Sequence, residues 1–102
     1  MMKAQAKHLP TIEEVKEKVV PILQRYGASR AGVFGSVARG KLHRRSDVDI
    51  LVELGRDLSL LDVVGIQQEL EDALGRRVDL VEYETIKPRI RERILAEEVR
   101  IL

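Results

Sequence analysis

Apolar residues recur along this chain at two different periods, and the switches between them mark out its elements. Ile12, Val15, Val19, Ile22 or Leu23, and Tyr26 follow helical spacing, behind a Thr11–Glu14 pair that forms a capping box, and Gly27 stops the helix. Pro21 falls inside that pattern and lacks a backbone donor, which predicts a kink about one turn earlier. Arg30 to Phe34 is short enough for a buried strand, Gly35 to Gly40 reads as a turn opening a short helix, and Lys41 to Ser46 is a polar loop. From Val48 to Leu54 the pattern alternates. Val48, Ile50, Val52 and Leu54 share one face, while Asp47, Asp49, Leu51 and Glu53 share the other. Ser59 and Asp62 give a second capping signal, and Leu60, Val63, Ile66 or Gln67, Leu70 and Leu74 form an apolar stripe closed by Gly75. Arg77 to Glu82 is a third strand, with Val78 and Leu80 on one face and Asp79 on the other. Pro88 opens a last helix that runs to about Ala96. Val99 to Leu102 reads as a terminal strand or a frayed helix end.

The element order is α-β-α-β-α-β-α. A helical crossover between the second and third strands calls for parallel pairing there. The first connection differs: if Gly35 at the end of one strand lies beside Asp47 at the start of the next, those two strands run antiparallel. The expected α/β (α+β) architecture is a small mixed three-stranded sheet, covered by helices on one side, with an acidic, open second face. Residues 1–10 read as a flexible N-terminal tail and residues 11–102 as the domain.

Composition narrows the chemistry. A chain of 102 residues, 44% hydrophobic and 34% charged, has room for one domain with a thin core. It contains no cysteine, which excludes disulfides and thiolate metal sites, and two histidines, His8 and His43, are too few for a zinc cluster of the usual kind. A net charge of +1 and three aromatic residues argue against nucleic acid as the main partner. No apolar run approaches the roughly 20 residues needed to span a bilayer, and no signal peptide is apparent, so a cytoplasmic location is expected.

One constellation remains. Gly35-Ser36 is followed, after ten residues, by Asp47-Val48-Asp49. Two carboxylates two apart on a strand point the same way, with backbones about 6–7 Å apart. Both can then reach one hard cation, and Asp79 on the neighbouring strand can complete the set. Three negative charges on one open face repel each other unless a cation sits among them. Gly35 lets the backbone approach a phosphate closely, and Ser36 offers an amide and a hydroxyl to it. Gly35 to Lys41 also matches the first part of a phosphate-binding P-loop, but Leu42 stands where that loop needs a Ser or Thr to hold magnesium.

Gly35-Ser36-Val37-Ala38-Arg39-Gly40, Ser46 to Val52 and Val78-Asp79-Leu80-Val81 together resemble the minimal nucleotidyltransferases of the DNA polymerase β superfamily. The likeness extends from the first helix to Ile94-Leu95. It implies the nucleotidyltransferase fold and two Mg2+ ions held by Asp47, Asp49 and Asp79. It also implies nucleotide phosphates at the Gly35-Ser36 turn, with ATP as the substrate. Arg39, Lys41, Arg44 and Arg45 are candidates to offset the phosphate charge, Arg39 being the one taken as nucleotide-binding. Many such short proteins are antitoxins encoded beside HEPN-type toxins, some of which they inactivate by adding AMP to a tyrosine. The resemblance therefore implies an antitoxin that transfers AMP from ATP to a partner's hydroxyl. Two rivals stand beside it: a non-enzymatic antitoxin that acts by binding, and a transferase acting on a small molecule. The Pro88–Arg100 segment alternates Glu and Arg around Ile90, Ile94, Leu95 and Val99, with Ile101 just beyond, and any of these left exposed would be a contact surface for a helical partner.

Overall fold

The structure, a computed structural model, describes residues 9–55 and 57–102. The tail expected over residues 1–10 lies mostly outside the described residues.

Helix α1 spans Ile12–Arg25, and its capping box forms as expected: the Glu14 amide donates to Thr11 Oγ1 at 3.2 Å and the Thr11 amide to Glu14 Oε1 at 2.9 Å. Val15, Val19, Ile22 and Leu23 are buried, and the helix runs unbroken through Pro21 on its exposed side. Strand β1 (Arg30–Phe34) leads into the four-residue helix α2 (Gly35–Ala38), and strand β2 covers Val48–Glu53. Helix α3 (Leu60–Leu74) begins at a second reciprocal cap between Ser59 and Asp62 and ends at Gly75. Strand β3 (Val78–Glu82), a 3-10 turn (Tyr83–Thr85), helix α4 (Pro88–Glu97) and strand β4 (Val99–Arg100) complete the chain.

The sheet has four strands in the order β3-β2-β1-β4, one more than the expected three. Strand β2 pairs antiparallel with β1 and parallel with β3, as the connections required. The extra strand is the C-terminal segment: Gly32 pairs with Arg100 and Val33 with Val99, so the ambiguous end of the chain extends the sheet beyond β1.

One face carries the main core. Val33, Val48, Ile50, Val52 and Val78 pack there against Val15, Val19, Leu23, Ile66 and Leu70 of α1 and α3. Helices α1 and α3 are also joined at their rim, where Tyr26 Oη donates to Glu69 Oε2 at 2.7 Å and Arg25 Nη2 to Glu69 Oε1 at 3.0 Å.

The other face is less open than alternation suggested. Leu51 is fully buried in a second cluster with Tyr83 and Ile86, joined by Phe34, Val81, Ile94 and Leu95. Helix α4 and the 3-10 turn therefore shelter part of this face and leave the aspartate end accessible. The C-terminal apolar residues divide accordingly: Ile101 enters the main core and Ile94 and Leu95 the second cluster, while Ile90 and Val99 stay exposed. The stripe read on α3 holds at Ile66 and Leu70 but fails at its start, because Leu60 is 79% exposed.

Candidate active site

The site is assembled at the end of the sheet where β2 and β3 begin. Asp49 and Asp79 face each other in register across the parallel pair, so both lie on the face away from α1 and α3. Asp47 stands just before β2, at the end of the polar loop. That loop is held by Arg76, whose Nη1 donates to the carbonyls of His43 and Ser46 at 3.0 Å each. The Val48 amide adds a bond to the Arg77 carbonyl at 2.9 Å. His43 serves the turn as well: its amide donates to Ser46 Oγ at 3.0 Å. Helix α3 fixes the start of β3 from the other side. Gln67 Nε2 donates to the Val78 carbonyl at 2.9 Å, and the Val78 amide to Glu71 Oε2 at 3.0 Å.

Opposite Asp49 across the antiparallel pair is Phe34, and the next residue, Gly35, turns with φ +70° into α2. The Asp49 carboxylate lies directly against the Gly35 Cα, in space that a Cβ would have to occupy. A side chain there would be strained twice, by the left-handed backbone and by the carboxylate. Ser36 sits in the first turn of α2, half-buried, and its carbonyl accepts from the Lys41 amide at 2.8 Å, which closes the turn.

Electrostatics follow from this packing. The Asp49 carboxyl is pushed up to about 6, first by partial burial and then by the charges of Asp79 and Asp47, with Arg39 acting against them. Asp47 and Asp79 are exposed. The structure thus puts Asp49 and Asp79 on one face, with Asp79 and Asp47 each within electrostatic reach of Asp49. It does not draw them into a finished cage: among the described residues no three carboxylate or imidazole groups meet closely enough to hold a metal ion unaided. The donor set still suits a hard divalent cation. It is all oxygen, its half-buried member has its charge opposed by two neighbours, and an incomplete shell leaves places for phosphate oxygens.

Arg39 caps the end of α2 and forms an ion pair with Glu97 on α4, Nη1 to Oε1 at 3.1 Å. Neither Glu97 nor Arg76 stood out in the sequence. Arg76 is one charged residue after a helix-ending glycine, and Glu97 is one of several acids in an alternating run. Only tertiary contact gives either a role.

This arrangement, a Gly-Ser turn packed on a strand with an Asp-x-Asp start and a third aspartate in register beside it, defines a class. The chain belongs to the nucleotidyltransferase domain family, whose model matches residues 12–101. Within that family of enzymes it is 48% identical over 91 residues to a candidate protein adenylyltransferase of Methanocaldococcus jannaschii, covering 89% of this chain and 98% of the relative. It is 38% identical over 95 residues to the protein adenylyltransferase MntA of Thermococcus cleftensis, covering 89% and 96%. Among solved structures, a candidate minimal nucleotidyltransferase superposes with a TM-score of 0.76 at 40% identity, covering 88% of this chain and 95% of that one. The crystal structure of a toxin-antitoxin with AMP-PNP matches with a TM-score of 0.75 at 25% identity, over 85% and 72% of the two chains. Among the described residues no helix is long and apolar enough to cross a membrane.

Proposed function

We propose that this protein transfers AMP from ATP to a hydroxyl group of a partner protein, and that it is the antitoxin of a toxin-antitoxin pair whose toxin is of the HEPN type. The observation that carries the chemistry is the register of Asp49 with Asp79 beside the Gly35-Ser36 turn. The protein acceptor is supported by the adenylyltransferase relatives, and the ATP substrate by the AMP-PNP complex of the toxin-antitoxin neighbour.

Asp47, Asp49 and Asp79 would hold magnesium. When bound, the ions supply Lewis-acid polarisation and a template for the triphosphate. The protein's own residues do the rest. The amides and hydroxyl of the Gly35-Ser36 turn receive phosphate oxygens, and the missing Cβ at Gly35 leaves that approach open to the backbone. Arg39 offsets charge on the phosphates. Asp79 lies on β3, an edge strand, where an incoming acceptor meets no further strand. Its carboxylate would take the acceptor's proton. The acceptor oxygen forms a bond to the α-phosphorus, the bond to the bridging oxygen of the β-phosphate breaks, and pyrophosphate leaves.

The test is to purify the chain with the product of the adjacent reading frame, add labelled ATP and magnesium, and weigh the partner. A mass gain of AMP that disappears in Asp47→Asn and Asp49→Asn is the expected result. A partner that binds and is neutralised without gaining mass would replace the enzyme with an antitoxin acting by binding. A partner that does neither would leave transfer to a small molecule as the better account.

A further inference from the structure

Two adjacent glutamates at the junction of α4 and β4 are put to different uses. Glu98 turns inward. Its side chain is 6% exposed, accepts a hydrogen bond from Tyr83 Oη, and lies 3.9 Å from Arg30 Nη2. The Arg30 guanidinium is stacked 4.1 Å from the centre of the Tyr83 ring. The space Glu98 occupies exists because residue 32 is glycine: a Cβ there would stand 2.6 Å from Glu98 Cγ. Burial, and then the bond to Glu98, pushes the Tyr83 hydroxyl above its ordinary range, so it remains a donor. This cluster pins the end of α4 to β1 and the 3-10 turn. Tyr83 and Glu98 satisfy one another, while Arg30 Nε is buried without a hydrogen-bond partner and Arg30 is held instead by its stacking on Tyr83 and its charge contact with Glu98.

Glu97, the last residue of α4, is thereby aimed at α2, where its Oε1 accepts from Arg39 Nη1 at 3.1 Å. The two side chains are 30% and 47% exposed, so solvent screens the pair and it adds little to stability. Its consequence is positional. Arg39 follows Gly35 by one turn, its amide donating to the Gly35 carbonyl at 3.0 Å, and the Asp49 carboxylate lies against Gly35, so Arg39 ends the helix that borders the aspartates and its charge is felt by Asp49. Asp49 and Asp47 are then the competing anchors for it. An arginine free to bond them would occupy carboxylate oxygens meant for a cation. Glu97 engages one of the guanidinium nitrogens and keeps the group at the rim, with the remaining donors of the fork open.

We propose that Glu97 is a positioning residue that holds Arg39 at the rim of the site, where the triphosphate of a nucleotide lies, and keeps it off Asp47 and Asp49. The inference rests on the nucleotidyltransferase reading of the site and adds to it a residue outside the Gly-Ser and aspartate motifs.

The experiment measures calorimetric binding of ATP and of adenosine, each with magnesium, to the intact chain and to Glu97→Ala, Glu97→Gln, Arg39→Ala and the Glu97→Ala/Arg39→Ala double variant. Removing the partner of an arginine that contacts phosphate is expected to weaken ATP binding about 3- to 10-fold, the range in which one partly exposed charged contact acts. Glu97→Gln, which keeps an acceptor, should recover part of the loss. The double variant should bind no more weakly than Arg39→Ala alone, because the two residues act as one unit. Adenosine binding and nucleotide-free thermal stability should not move, which a general structural role for Glu97 would not permit. Wild-type ATP binding left unchanged or tightened by Glu97→Ala, or losses that add in the double variant, would overturn the role of Glu97 alone. A wild-type chain that takes up no ATP would remove the nucleotide site itself, and the proposal with it.

Discussion

Replacing Asp49 by asparagine should make the metal-free protein more stable, although it removes a residue proposed to hold magnesium. Asp49 is half-buried against Gly35, faces Asp79 in register, and its carboxyl is raised from 3.8 to about 6. The raised value means that the folded state holds a proton the unfolded chain has released. The stability tied to that proton is complete below pH 3.8 and is lost as pH rises through about 6. At 1.36 kcal/mol for each pH unit, the unscreened cost of ionising Asp49 is about 3 kcal/mol. The group is only partly buried, and solvent screening brings this to about 1–2 kcal/mol. Asparagine is nearly the same shape and carries no charge, so above pH 6.5 the variant should exceed the wild type by that amount, or by about 5–10 °C in Tm for a domain of this size. Near pH 4 the two curves should meet. Thermal unfolding in EDTA from pH 4 to 7.5 measures the difference, in which the titration of every other group largely cancels. Parallel curves, or a variant less stable at pH 7, would show that Asp49 is not under the strain assigned to it.

Other outcomes follow from the same geometry. Asp47→Ala and Asp79→Ala should each lower AMP transfer by about 10³-fold or more while the far-UV circular dichroism is unchanged, whereas Ser36→Ala should cost only about 10-fold because the turn amides remain. Magnesium should raise the melting temperature clearly only with ATP present, since the aspartates alone form an incomplete shell, and Asp49→Asn should abolish that rise. Arg76→Ala frees the His43–Ser46 loop and should reduce transfer more than stability, with a loss of about 1 kcal/mol read by urea unfolding. Gly32→Ala should destabilise by about 2 kcal/mol in the same assay, because it expels the Glu98 carboxylate from its bond with Tyr83.

The elements and their order were determined locally. Capping pairs at Thr11–Glu14 and Ser59–Asp62, the stops at Gly27 and Gly75, and strict alternation from Val48 act within a few residues, and such signals survive whatever the rest of the chain does. The direction of the strands was equally legible, because a helix between β2 and β3 leaves one way back and a Gly-Ser turn beside Asp47 leaves another. The candidate aspartates shared this legibility: side-chain alternation puts Asp49 and Asp79 on one face as soon as the pairing is parallel and in register.

What sequence could not decide depended on competition between distant segments. Val99-Arg100 is strand or helix end according to whether β1 has a free edge, and the free edge exists only once β2 has taken the other side. Leu51 looked like part of an open acidic face until α4 folded over it. Leu60 looked like core, yet it stands in the first turn of α3 and is exposed. Alternation aligned the carboxylates of Asp49 and Asp79, but how closely they and Asp47 approach is set by the loop before β2, and among the described residues the three do not form a cage. The assignments of Arg76 to the His43–Ser46 loop, Glu98 to the space above Gly32 and Glu97 to Arg39 are contacts between residues 30 or more positions apart. No local pattern encodes them, since a charged side chain looks the same to its sequence neighbours whether its partner is water or a distant residue.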